Sequence, residues 1–154
     1  MADESLVSDD LRSYEGRRGP ERRVSVTAAE VARSLGVYGG EGRLFQPGDV
    51  VPGYTLMSLA PDGESSDLRM PEPMPQALMV SNEFSLERPL RLGEDLTAQS
   101  CIASISERLG GRFGHGIYVR RELEFRDTDG DIVGRTASTL MYYRTEGADL
   151  GEDQ

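Results

Sequence analysis

The sequence contains no lysine, because all 17 of its basic residues are arginine. Schiff-base chemistry, attachment of a pyridoxal cofactor and a phosphate-loop lysine are thereby excluded within this chain. Tryptophan is absent, and histidine and cysteine occur once each, as His115 and Cys101. Zinc ligands of the usual His and Cys kinds cannot be assembled from these two residues, so no metal site is expected. A lone cysteine forms no internal disulfide, which makes a reducing cytoplasm the expected setting. No apolar run reaches the length of a membrane span, and the N-terminus lacks the basic and apolar regions of a signal peptide. Neither a membrane partner nor secretion is expected.

What remains is enough for one domain: 154 residues, 37% of them hydrophobic. The 27 acidic residues give a net charge of −10, but eight of them lie in the first and last ten residues, which leaves residues 11–144 at only −2. Residues 1–11 and 145–154 read as acidic solvated tails around a single domain, 12–144. Without a dense basic run the chain would repel a phosphate backbone, so nucleic acid is not an expected partner.

Thr27-Ala28-Ala29-Glu30 is a capping box, with Val26 placed to staple onto Val31, and predicts a helix from Ala28 to Leu35 that Gly36 ends. The glycines at 39, 40 and 42 forbid regular structure there. Between residues 43 and 78, six prolines preclude long elements, and only Tyr54–Leu59 reads as a short helix. Beyond Met79 the pattern alternates. Phe84 and Leu86 share a face; Leu96, Ala98, Ser100 and Ile102 make a second, weaker strand; Arg88–Asp95 reads as the turn between them. The clearest strand is Ile117–Arg126, with Ile117, Val119, Leu123 and Phe125 inward and Arg121 interrupting that apolar face. An edge, a partner interface or a ligand would each account for such an arginine. Asp127–Asp131 is a hairpin loop leading into a final strand, Ile132–Arg144. The expected architecture is α+β: an N-terminal helix and a meander of at least four antiparallel strands, with so little helix that burial would finish against another chain.

The stretch Asn82-Glu83-Phe84 with Arg88-Pro89-Leu90-Arg91-Leu92-Gly93-Glu94-Asp95-Leu96-Thr97-Ala98 resembles the signature of MaoC-like hydratase domains of the N-terminal, FAS1-like dehydratase type. Ser106-Glu107-Arg108, Gly110-Gly111, Asp129-Gly130-Asp131-Ile132-Val133, Thr139-Leu140 and the upstream Tyr14-Glu15-Gly16-Arg17-Arg18 are similar too. The resemblance implies a hot-dog fold, a curved antiparallel sheet around a central helix, here shortened by the proline-broken middle. It also implies R-specific hydration of 2-enoyl thioesters of coenzyme A, the thioester being substrate and no cofactor being needed. Catalytic members of that family carry Asp-x4-His before a glycine-rich helix N-terminus: the base holds water near the β-carbon while backbone donors stabilise an enolate-like oxygen.

At the corresponding place this chain reads Gly39-Gly40-Glu41-Gly42-Arg43-Leu44-Phe45-Gln46-Pro47-Gly48-Asp49, and position 110, five before His115, is glycine. The resemblance therefore implies a non-catalytic subunit of a heteromer, a heterodimer or heterotetramer, whose partner is a separate hot-dog polypeptide supplying the Asp/His dyad. An acyl group as bulky as a steroid side chain would suit the shortened helix. No catalytic residue is expected in this chain, with His115 the one weak alternative. Phe113, Gly114, His115, Tyr54 and Met57 are the candidate substrate contacts, and Met57, Met70, Met74 and Met79 could line an acyl tunnel or fill core. Arg120 and Arg121 are the candidates for coenzyme A phosphates, as are Arg17-Arg18 and Arg22-Arg23, unless these arginines serve surface salt bridges. Cys101 reads as a small buried side chain. Two alternatives stay open: a homodimeric hot-dog thioesterase directing water with Glu41 or Asp49, and an acyl-CoA binding module without catalysis.

Overall fold

The computed structural model describes residues 6–40, 42–59, 68–108 and 115–144. Its strands are β1 (Arg22–Ser25), β2 (Val50–Val51), β3 (Gln76–Leu86), β4 (Leu90–Arg91), β5 (Asp95–Arg108), β6 (Gly116–Arg126) and β7 (Ile132–Tyr143). Two α-helices, α1 (Asp9–Arg12) and α2 (Ala28–Tyr38), and a 3-10 helix, η1 (Gly53–Leu59), accompany them. Five strands form one curved antiparallel sheet in the order β1-β5-β6-β7-β3, while β2 and β4 pair separately.

The capping box forms as expected: the Thr27 hydroxyl accepts from the backbone N–H of Glu30 at 3.2 Å. The helix does not stop at Gly36, however. It continues through Val37 and Tyr38 and is closed at Gly39, whose φ of +96° suits glycine and whose N–H bonds Leu35 O at 2.8 Å. One interior glycine costs a helix only about 1 kcal/mol, too little to end it where Tyr38 still packs on Tyr54.

Strand β5 is the longest in the sheet, not a weak one. Its register shifts between Ile102 and Ser104, and the extra residue returns Ile105 to the face that Ile102 occupies, where strict alternation would place a serine. Residues 88–95 are not a turn between neighbours either. β3 pairs with β7 and β1 pairs with β5, so the segment crosses over, held by the Arg88–Glu94 ion pair at 2.7 Å and by Arg91 N–H bonding the same Glu94 carboxylate. A pairwise reading of sequence-adjacent strands misses this, because partners are chosen by the sheet.

Two apolar clusters cover the inner face of the sheet. One joins Val31 and Leu35 of α2 and Leu56 and Leu59 of η1 to Leu96, Ala98, Leu123 and Phe125. The other lays Val7, Leu11, Leu68 and Met74 over Ile102, Ile105, Ile117, Val119 and Tyr142. Residues 6–11 are thus not part of a solvated tail: Val7 and Leu11 are buried, and α1 is capped by the Ser8 hydroxyl. Three apolar side chains among the acids suffice, since burial contributes about 25 cal/mol per Å². Tail residues 145–154 lie outside the described residues.

Gly134 of β7 lies against η1 and β3, where a Cβ would stand 2.7 Å from Ser85 O and 2.8 Å from Leu56 Cδ2. Gly134→Ala is expected to destabilise the fold by about 1–3 kcal/mol, read as a lower denaturant midpoint; an unchanged midpoint would contradict this packing.

Candidate functional site

In the sheet register Asn82 of β3 stands opposite Ser138 of β7, and Ser138 stands opposite Arg121 of β6. Paired residues share a face, about 4.5–5.5 Å apart, so the three form a polar row on the inner face between the two apolar clusters. Over this row lies a cavity of about 260 Å³, lined also by Tyr38, Met57, Met79, Ser100, Glu122 and Thr136.

Each element contributes for a local reason. The extension of α2 past Gly36 carries Tyr38 to the rim, where its ring packs 4.8 Å from Tyr54. Tyr54 in turn donates its hydroxyl to Gly39 O at 3.0 Å, tying η1 to the end of α2. Of the two candidate contacts in η1, Met57 lines the cavity and Tyr54 braces its rim. Arg121 belongs to β6, the central strand, so the edge explanation for it does not hold. Its Nη1 donates to Leu68 O at 2.8 Å, and among the described residues no carboxylate forms an ion pair with it.

Arg120 points the other way. On the outer face it donates to Glu83 at 2.8 Å and Glu122 at 3.1 Å, so the Arg120-Arg121 pair does not present two guanidiniums to one phosphate. His115 is exposed just before β6, six residues from Arg121, which is about 20 Å along a strand. Phe113, Gly114 and Glu41 lie outside the described residues. Asp49 is exposed and accepts from Gln46 N–H at 2.8 Å. Met79 lines the cavity, whereas Met74 and Met70 pack in the second cluster. Arg17 stacks on Tyr14, and Arg22 and Arg23 lie on edge strand β1.

Cys101 is half-buried on the outer face beside the chain segment that carries Arg18; burial pushes its thiol up, and Arg18 only partly opposes this. Sequence reasoning singled out Arg121 but not Tyr38, Asn82, Ser100 or Ser138. The polar interruptions in each strand were visible; that they fall side by side depends on register.

The outer face also holds a buried acid. Glu124, 8% exposed, lies within 3.4 Å of Arg18 and 3.2 Å of Arg126, with Arg135 at 3.6 Å. Burial alone would raise its carboxyl, but the arginines outweigh burial and hold it below the usual value of 4.5. Its contribution to stability is therefore fully present above that usual value and is lost as pH falls through the lower folded value. Glu124→Gln is expected to cost about 1–2 kcal/mol near neutrality and to flatten the acid limb of stability against pH. An acid limb identical to that of the parent would contradict the assignment.

The sequence matches no family model and no curated protein. Solved structures do match the fold. A chain of the HadBC (3R-hydroxyacyl-ACP dehydratase) complex from Mycobacterium tuberculosis aligns at TM-score 0.63 and 18% identity, over 83% of this chain and 96% of that one. A chain of the ChsH1-ChsH2 complex from the same organism aligns at TM-score 0.64 and 12% identity, over 86% of each. The (R)-hydratase of A. caviae involved in PHA biosynthesis aligns at TM-score 0.55 and 16% identity, over 84% of this chain and 96% of that one. The chain therefore has the hot-dog fold of these hydratases and dehydratases, as its sequence led one to expect.

Proposed function

We propose that this chain is the non-catalytic subunit of a heteromeric MaoC-like 2-enoyl-CoA hydratase, completing the substrate cavity while a second hot-dog subunit supplies the Asp/His dyad. The observation that carries the proposal is where the cavity lies. It reaches the sheet's edge strand, since Met79 and Asn82 of β3 line it, and β3 leaves Leu78, Met79, Val80 and Phe84 exposed. A site bounded by an unpartnered apolar edge is completed by whatever pairs with that edge. Nor does the chain's only histidine line the cavity. That HadBC and ChsH1-ChsH2 are complexes is in keeping with this reading.

In the reaction, the partner's base would take a proton from water as its oxygen bonds to the β-carbon, and the α-carbon would then receive a proton. This chain's part is to enclose the acyl group. Its longest described helix has 11 residues, and η1 has seven, which favours a bulky acyl group such as a steroid side chain. Among the described residues no helix is long and apolar enough to cross a membrane; from the lone cysteine we infer a reducing cytoplasm. No cofactor enters the scheme, and neither Arg120 nor Arg121 carries coenzyme A phosphates in it.

Co-expression with a dyad-bearing hot-dog subunit, followed by isolation of the complex, tests the proposal. The complex is expected to consume the enoyl-thioester absorbance and to release no free thiol. Thiol release by this chain alone would replace the hydratase reading with a thioesterase, and tight acyl-CoA binding without turnover in any complex would leave a binding module.

A further inference from the structure

An acyl tunnel has no need of a guanidinium. Even partial burial of one costs free energy unless something pairs with it, yet the half-buried Arg121 stands at the centre of the inner face, with apolar clusters on both sides and a cavity in front. Its one hydrogen bond among the described residues, to Leu68 O, uses one of the five N–H donors that a guanidinium carries. Two acids lie nearby: Glu122 lines the cavity, but its carboxylate is held by Arg120, and Glu72 acts on the same Tyr142 hydroxyl as Arg121, yet neither forms an ion pair with Arg121 among the described residues. Beside Arg121 in the same row stand a hydroxyl and an amide, those of Ser138 and Asn82, which add neutral donors without adding a counter-charge. Tyr38, Met57, Met79 and Leu123 add apolar surface to the walls.

From this arrangement we infer that the cavity selects acyl thioesters whose chain carries a carboxylate remote from the thioester, with Arg121 as the residue that determines this specificity. A carboxylate takes two parallel N–H bonds from a guanidinium, and such charge-assisted bonds are roughly twice as strong as neutral ones. Ser138 and Asn82 are positioned to donate to its remaining lone pairs, while Met57 and Met79 pack the methylenes leading to it. The inference rests on the acyl-thioester reading above, and it names the substrate class for that same cavity.

The test is calorimetric binding to the full chain, alone and in its complex, of two coenzyme A thioesters of equal chain length. One is the monothioester of a straight-chain diacid and the other the thioester of the corresponding methyl-ended acid. The carboxylate-ended thioester is expected to bind about 10–100-fold tighter. Arg121→Gln is expected to abolish that ratio with little change in affinity for the methyl-ended thioester, and Arg121→Lys to restore part of it. A ratio near one in the parent chain would overturn the inference, as would Arg121→Gln lowering both affinities together, the mark of a purely structural arginine. So would a ratio unchanged by Arg121→Gln, or a loss of assembly with the ratio intact, which would assign the guanidinium to the interface. Failure of both thioesters to bind in either form would instead overturn the acyl-thioester reading on which the inference stands.

Discussion

Replacing Phe125 with alanine is expected to cost the fold about 3–5 kcal/mol, a large share of the roughly 5–15 kcal/mol that a domain of this size has. Phe125 is fully buried on β6, opposite Ala98 of β5 and Gly134 of β7, and it belongs to the cluster that joins α2 and η1 to the sheet. Its two cross-strand neighbours, alanine and glycine, are both small. The same smallness means that they cannot close over the hole its removal would leave, so both the transfer term and the cavity term apply. Equilibrium unfolding in denaturant measures the loss. A change below about 1 kcal/mol would mean that the cluster relaxes around the gap and that this half of the core is not close-packed.

A different kind of change is expected on β3. Its residues Leu78 and Val80 are each 44% exposed on an edge strand that pairs, among the described residues, with β7 alone. Arginine at both positions would leave the core untouched, since neither residue belongs to an apolar cluster. It would place two charges where another chain must approach, and charged edges are how proteins block strand pairing. The double variant Leu78→Arg, Val80→Arg is expected to unfold near the parental midpoint and to lose at least about 100-fold in affinity for any chain that pairs there. Sedimentation of mixtures, together with denaturant unfolding of the isolated variant, separates the two effects. Assembly at parental affinity would remove β3 from the interface and with it the argument that the cavity is shared.

Local signals were legible in the sequence because local physics decides them. The capping box at Thr27 forms, the hairpin loop at Asp127–Asp131 closes with Gly130 at φ +88°, and the alternating run in β6 is a central strand with one apolar face. What escaped the reading needs a third dimension. Val7 and Leu11 sit among acids, and only the apolar face they cover makes them core. The Arg88–Asp95 segment has the composition of a turn, yet β3 finds its partner in β7, not in the strand that follows. The irregularity in β5 that weakened its alternation is a bulge, which lengthens the strand instead of ending it.

The site divides in the same way. Arg121 stood out because a charge in an apolar alternation is visible in one dimension. Its neighbours in the polar row, Asn82 and Ser138, come from two other strands and meet it only through register. Tyr38 reaches the rim because α2 runs through Gly36. His115, conspicuous as the only histidine, is itself exposed immediately before β6 instead.

The measurement closest to the central claim is turnover of a 2-enoyl-CoA by the purified chain on its own, with His115→Ala as its companion. A cavity-completing subunit is expected to show no hydration above the uncatalysed rate, and His115→Ala is expected to change nothing, either alone or within a complex that contains a dyad-bearing partner. Enzyme-like hydration by the chain alone, lost when His115 becomes alanine, would contradict the account and place the chemistry in this subunit.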